Sequence, residues 1–443
     1  MGTEALQVPH PRELSPSLPF RELVQWYVCG PDPTARQGWK LYVPMTIMNV
    51  RELLARLIPL LERSRLPFKY IKNIQALRKL NAARYSYAQV GKSLVIYMPR
   101  MDSRFIRELK RLLTRYRDQC PSVPCARPFG GGLPLYYRYG AFTGDRIVVR
   151  GLSRRDNRWR ADLAVPPGVR DVMRRHTTAK DPSCRESSFL LRYPAFAAMA
   201  QGGKGGLFRA LNLASETYQE VVLKVGYHRG QLQLDGSDGC SFLRRELAFY
   251  RLLAERGLGA LAPRLIDSLD RPGQVMAVME RIDGDNLLVL KLTRRLSVSH
   301  LERSWEIMDR IHRRGLVLGD AKLSNFLASR AGDLRAIDFE GAGVIGQPAE
   351  GGRTFRIADI DTDDVRVQDQ LHFLASVLHP YRRRGPEDRA MRLKPYLDRA
   401  PRSRVAAWAC EKLRGVLGST QRPPTTRSSS MVPVREPWAV AMS

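Results

Sequence analysis

The chain has 443 residues, with 73 Lys and Arg against 44 Asp and Glu and a net charge of +29, room for two or three domains at about 150 residues each. A hydrophobic content of 44% excludes a wholly disordered chain, and with no run of about 20 apolar residues neither a membrane span nor a membrane partner is expected. The first 16 residues lack the charged and apolar regions of a secretory signal, and six cysteines without C-x-x-C spacing suit a reducing, cytoplasmic setting rather than a disulfide framework or a zinc site.

In chain order, residues 1–20 are Pro-rich and expected to be mobile. A first domain is expected over residues 21–150. Residues 39–43 alternate as a strand with Lys40 and Tyr42 on one face. Residues 51–63 and 103–117 have helical apolar spacing, Pro59 interrupting the first. Residues 67–70 set Lys69 among apolar neighbours, Gly91 and Lys92 precede a strand at 93–98, and residues 146–149 read as another strand. Residues 136–142 are an aromatic cluster around Arg138. A polar connector spans 151–184, and a second domain covers 185–417. Its elements are a glycine-rich loop at 201–206, a strand at 220–225 carrying Lys224, a helix at 241–254 carrying Glu246, and two acidic motifs. Residues 418–443 are low-complexity and expected to be disordered.

The acidic motifs carry the clearest chemistry. Asp320 lies in a loop after an apolar run, Asn325 follows five positions later, and Asp338 ends a short strand 18 residues after Asp320. Phosphoryl transfer needs one carboxylate to orient the attacking hydroxyl, and an Asn with a second carboxylate to hold a metal against the phosphates. A strand lysine held by a helix glutamate, here Lys224 and Glu246, fixes the phosphates of the donor. Gly203, Gly205 and Gly206 allow backbone amides to approach them. In the first domain, Lys40, Lys69, Lys92 and Arg138 would bind phosphate if they converge, and mutual repulsion with desolvation would lower one lysine towards a useful base. The positive charge is spread along the chain and no nucleic-acid motif accompanies it, so nucleic acid is not the expected partner.

The second domain resembles the protein kinase superfamily in the order and spacing of these elements. Leu318-Gly319-Asp320 stands where His-Arg-Asp is usual, Asp338-Phe339-Glu340 where Asp-Phe-Gly is usual, and Phe208 occupies the third glycine position of the loop. Lys322, in an Asp-x-Lys-x-x-Asn arrangement, implies Ser/Thr as acceptor. With residues 39–43, 68–69, 91–97 and 137–140 ahead of it, the whole resembles the class III and IV lanthipeptide synthetases, which run lyase, kinase and cyclase domains in that order. The resemblance implies an α+β chain, an effector-phosphothreonine-lyase-like domain followed by a two-lobed protein-kinase-like domain. It implies ATP or another nucleoside triphosphate, Mg²⁺, and a precursor peptide with a leader as substrate. Ser or Thr would be phosphorylated through Asp320 and Lys322, with Asn325 and Asp338 on the metal. Lys69 would then take the α-proton while Lys40, Lys92 and Arg138 neutralise the phosphate. Tyr42 stands where the family has a His acid, so the first domain either eliminates phosphate or only docks peptide. A cyclase segment is not expected in these residues, so ring closure would fall to a separate protein or be spontaneous.

Overall fold

A computed structural model of the chain describes residues 7–33, 35–156, 165–178, 188–233, 235–271, 273–347, 357, 359–379 and 392–420. They fall into two compact units, residues 1–283 with 338–340, and residues 284–337 with 341–443. The break follows Asp283, well beyond the connector expected at 151–184. Within the first unit, Ser122 donates its N–H to the carbonyl of Arg229, so the segments on either side of that connector are directly bonded.

The first unit opens with a one-turn helix, α1 (Pro11–Leu14). Pro11 and Leu18 are buried, and Val8 and Leu14 pack on the core, so residues 7–20 are held where a mobile segment was expected. Strands β1 (Phe20–Glu22), β2 (Trp26–Cys29), β3 (Gln37–Val43), β4 (Phe68–Ile71), β5 (Leu94–Met98), β6 (Arg127–Pro128) and β7 (Tyr136–Ala141) make one sheet in the order β1-β2-β4-β5-β3-β7-β6. All its pairings are antiparallel. Alternation divides its two faces. Leu41, Val43, Phe68, Tyr70, Leu94, Ile96 and Tyr137 share a core with Leu53, Leu54, Leu57 and Leu61 of α2 (Val50–Arg63) and Phe105, Ile106 and Leu109 of α4 (Ser103–Leu113); Leu77 of α3 (Ile74–Asn81) joins them. The other face keeps Tyr42, Val95, Tyr97 and Tyr136 in a separate cluster. Pro59 does not interrupt α2. Pro59 and Ala55, whose carbonyl loses its helical donor there, both face solvent, so the orphaned group is not left in the core.

After a two-stranded ribbon of β8 (Arg146–Val149) and β9 (Leu152–Arg155) and a short α5 (Ser188–Arg192), a second antiparallel sheet follows. It comprises β10 (Ala195–Gln201), β11 (Gly205–Leu211), β12 (Glu220–Tyr227), β13 (Leu265–Arg271) and β14 (Gln274–Glu280), in the order β10-β11-β12-β14-β13. Helix α6 (Gly239–Glu255) lays Cys240, Leu243 and Leu247 on Val275 and Ala277. Val221, Leu223, Met276 and Val278 point the other way, onto Phe189 and Tyr193. Lys224 pairs with Ala277 across β12 and β14 and so faces α6.

The second unit carries β15 (Gly284–Asn286), α7 (Leu287–Leu292), α8 (Val298–Arg313), β16 (Leu316–Val317), β17 (Phe326–Ser329), β18 (Leu334–Ala336), β19 (Gly343–Val344), α9 (Val365–Leu378) and α10 (Arg404–Thr420). Phe326 and Phe373 stack edge to face at 5.4 Å, and Trp305 meets Trp408 at 5.8 Å, joining α8, α9 and α10 to the small sheet of β15, β17 and β18. The chain is mixed α+β, as expected. Beyond its first three residues the tail at 418–443 lies outside the described residues, as do Cys184 and residues 157–164 of the connector. Among the described residues the five cysteines are unbridged and buried, and no helix is long and apolar enough to cross a membrane.

Candidate functional site

The face of the seven-stranded sheet turned away from α2 and α4 gathers the cations singled out in the first domain. Register puts Lys40 opposite Tyr97 on β5 and Arg138 on β7, Tyr42 opposite Val95 and Tyr136, and Lys69 opposite Val95 from β4. All these side chains therefore project to one side. Lys69 stands two strand spacings from Tyr42, about 10 Å. Its Nζ lies 4.5 Å from the Trp26 ring, in a cleft of about 280 Å³ lined also by Gln25, Leu80, Tyr85 and Gln89. Lys92, in the turn before β5, is 5% exposed and its Nζ lies 4.8 Å from the ring of Tyr42, itself 4% exposed. Burial first, then the charges of Arg138 and Lys40, bring the Lys92 ammonium down to about 7 against partial relief from Cys125 and Asp156. Lys92, a position expected only to bind phosphate, thus carries a depressed amine.

Arg138 is oriented from behind. Its guanidinium donates to Asp156 Oδ1 at 3.0 Å, and the Ala141 N–H donates to Asp156 Oδ2 at 2.9 Å. A Cβ at Gly140 would lie 2.6 Å from that carboxylate, so glycine is needed for the clasp to close. One buried acid beneath several cations leaves the face electropositive, suited to a phosphate dianion.

The second constellation of this unit sits between α6 and β12. Asp238 caps α6 by accepting from the Ser241 N–H at 3.0 Å, and the inward stripe of the helix presents Glu246, 2% exposed. Lys224 Nζ donates to Glu246 Oε2 at 2.6 Å and to Asp338 Oδ1 at 2.8 Å. Burial works against the Lys224 charge, but the Asp338 and Glu246 carboxylates outweigh it and hold the ammonium well above its ordinary range. Burial pushes Glu246 up to about 7, with Lys224 opposing and Asp338 adding repulsion. Asp338 has φ +65°, a left-handed conformation that Asp tolerates better than bulkier residues. Phe339 is fully buried with its ring 5.1 Å from both Phe249 and Tyr250 of α6, and Glu340 pairs with Lys204 in the glycine-rich turn.

That turn joins β10 to β11, closed by the Gly202 N–H donating to the Gly205 carbonyl. Gly203 and Gly205 there meet protein backbone. A Cβ at Gly203 would fall 2.0 Å from the carbonyl oxygen of Asn81, and one at Gly205 2.1 Å from that of Val225. A Cβ at Gly206 would meet the Phe208 ring and the Tyr227 hydroxyl within 2.8 Å.

In the second unit, Asp320, Lys322 and Asn325 come together. Lys322 is ion-paired with Asp320, and Asn325 Nδ2 donates to the Asp320 carbonyl at 2.9 Å. The loop is held by Asp369 of α9, 1% exposed, which accepts from the N–H groups of Leu318 at 2.7 Å and Gly319 at 2.8 Å and meets His312 Nε2 at 3.0 Å. Gly319 has φ +71°, and a Cβ there would lie 1.8 Å from the Gly341 carbonyl oxygen. Position 319 is therefore closed to any side chain. Sequence reasoning missed Asp369, His312, Asp156 and the Lys204–Glu340 pair. Asp369 had one available signal, an acid on the apolar face of an amphipathic helix. Among the described residues no group of three His, Cys, Asp or Glu could hold a metal.

These features define a mixed α+β protein whose first unit carries a cation-lined sheet face and a buried Lys224–Glu246–Asp338 cluster. Residues 9–162, about a third of the chain, match the family model described as RamC, N-terminal domain, a domain of the lanthipeptide-synthetase family. The match points to lanthipeptide-type modification of a ribosomal peptide by an enzyme. No curated protein matches the chain.

Proposed function

We propose that the chain phosphorylates Ser or Thr of a precursor peptide and then eliminates phosphate to leave dehydroalanine or dehydrobutyrine. The observation that carries this reading is the presence, in one unit, of the Lys40, Lys92 and Arg138 face and of Lys224 held between Glu246 and Asp338. The match over residues 9–162 supports the first. The strand order β10-β11-β12-β14-β13 with α6 after β12 supports a kinase-like second.

In phosphorylation, Lys224 would hold the donor's phosphates while Asp320, paired with Lys322 and Asn325, would orient the attacking hydroxyl. The resemblance assigns Mg²⁺ to Asn325 and Asp338, whose amide and carboxylate oxygens suit a hard cation. That ion would supply charge neutralisation at the transferring phosphate. In elimination, Lys69 would take the α-proton of a residue bound in the Trp26–Tyr85 cleft, and Lys40, Lys92 and Arg138 would neutralise the departing phosphate. Tyr42 would be its proton donor.

A second reading has one observation in its favour. Tyr42 is 4% exposed beneath Lys92, a poor position for a proton donor, so the N-terminal face would only dock peptide for a Ser/Thr kinase. Intact mass spectrometry of a precursor peptide incubated with the protein, ATP and Mg²⁺ separates the two. Successive loss of water supports phosphorylation with elimination, and stable gain of phosphoryl groups supports docking alone. Dehydration that persists in both Asp320→Asn and Lys69→Ala would refute the residue assignments.

A further inference from the structure

Resting on the phosphoryl-transfer reading above, the geometry points to Arg229 as a positioning residue that fastens the start of α6, and through it the Lys224–Glu246 pair, to the N-terminal sheet domain.

Arg229 follows β12 in a turn in which it and Gln231 both have left-handed backbones, φ +52° and +49°. Neither is glycine, so tertiary contacts must hold this conformation. The contacts run in two directions. Outward, the guanidinium donates to Asp118 Oδ1 at 3.1 Å and to the Gly132 carbonyl at 3.2 Å, and the Arg229 carbonyl accepts from the Ser122 N–H at 3.1 Å. Asp118 and Gly132 are themselves joined, Asp118 N–H to Gly132 carbonyl at 3.0 Å. Inward, the Arg229 N–H donates to Asp238 Oδ2 at 2.6 Å, and Asp238 Oδ1 accepts from the Ser241 N–H at 3.0 Å and its Oγ at 3.1 Å. Asp238 is the cap of α6, and Glu246 lies two turns further along that helix.

One residue therefore bonds the N-terminal domain with its side chain and carbonyl, and the cap of α6 with its amide. The Arg229 side chain is largely buried at 14% exposure, whereas Asp118 is 69% exposed. The anchor can accordingly be cut at the Asp118 end without opening a cavity. Tyr227 and Tyr87, with ring centroids 6.1 Å apart, continue the same seam. Glu246 reaches Lys224 only if α6 keeps its place on β12, and the helix start is tied to a domain outside its own sheet. The N-terminal domain thereby sets the geometry of the phosphoryl-transfer half.

The test compares Asp118→Asn, Arg229→Met and Arg229→Lys in the full chain by two readouts. Hydrogen exchange of the amides of residues 239–246 reads the fastening directly. The kcat and KM for ATP in peptide phosphorylation, beside phosphate release from a pre-phosphorylated peptide, read its consequence. Arg229→Met is expected to speed exchange at the start of α6 and lower phosphorylation kcat about 10-fold, the order of one lost charge-assisted contact. Elimination from the phosphopeptide should stay unchanged. Asp118→Asn, whose exposed site makes misfolding no concern, should move the same amides by less, and Arg229→Lys should restore part of the loss. Exchange and kcat equal to wild type in both Arg229→Met and Asp118→Asn would overturn the inference. Wild-type protein that transfers no phosphate would instead overturn the phosphoryl-transfer reading, and with it the catalytic consequence drawn here.

Discussion

Lys92→Met should make the protein more stable and less active together, in a way that pH controls. Its ammonium falls from an ordinary 10.5 to about 7 in the folded chain, chiefly because it is buried. The unfolded chain therefore holds this proton up to about pH 10.5 while the folded chain releases it near pH 7. Stability lost to the buried charge is recovered as pH rises between those values. At about 1.4 kcal/mol for each pH unit separating the two, the charge costs about 5 kcal/mol well below pH 7 and about 4 kcal/mol at pH 7. Methionine removes the penalty and keeps most of the volume against the Tyr42 ring. Urea unfolding should place the variant ahead by about 4 kcal/mol at pH 7, with the gap closing towards pH 10. Added inorganic phosphate, which would pair with the charged lysine, should narrow the gap by stabilising only the wild type. Phosphate release from a pre-phosphorylated peptide should collapse in the same variant. A variant less stable than wild type at pH 7, or a gap equal at pH 7 and pH 10, would refute both the buried charge and its place in an anion site.

Asp369→Ala strands the N–H groups of Leu318 and Gly319 and the His312 ring. It should cost about 3–5 kcal/mol in urea unfolding and abolish phosphorylation; an unchanged midpoint would exclude its role in holding the Asp320 loop. Gly319→Ala meets the Gly341 carbonyl and a positive φ, the latter alone worth about 1–2 kcal/mol. Its melting temperature should fall with phosphorylation, and wild-type behaviour would mean the loop has room the geometry denies. Tyr42→His should raise the rate of phosphate release from a phosphopeptide near neutral pH, where imidazole is a better donor than phenol. No change in that rate would detach position 42 from elimination.

Much of the site was readable because period-two alternation is a local rule. Lys40 and Tyr42 fall on one face by spacing alone, and Lys224 and Glu246 lie in elements that run a few residues beyond their expected ends. Long-range facts were not readable. Asp369 holds a loop about 50 residues away, and Arg229 reaches Asp118 across 111 residues. Nothing local marks either partner. Strand β10, AFAAMAQ, carries alanines that favour helix, and only its pairing with β11 makes it a strand. Pro59 misled for the opposite reason: a strong local signal was overridden because its missing hydrogen bond faces solvent.

The contact between Gly203 and Asn81 constrains movement in a single direction. The β10–β11 turn already touches the end of α3, so it can travel only outward, and every excursion opens a seam beside Asn81. The residue before Asn81, Leu80, forms a wall of the cleft that holds Lys69. Leu80 and Asn81 thus place the wall of that cleft and the packing of the turn on successive residues of one helix.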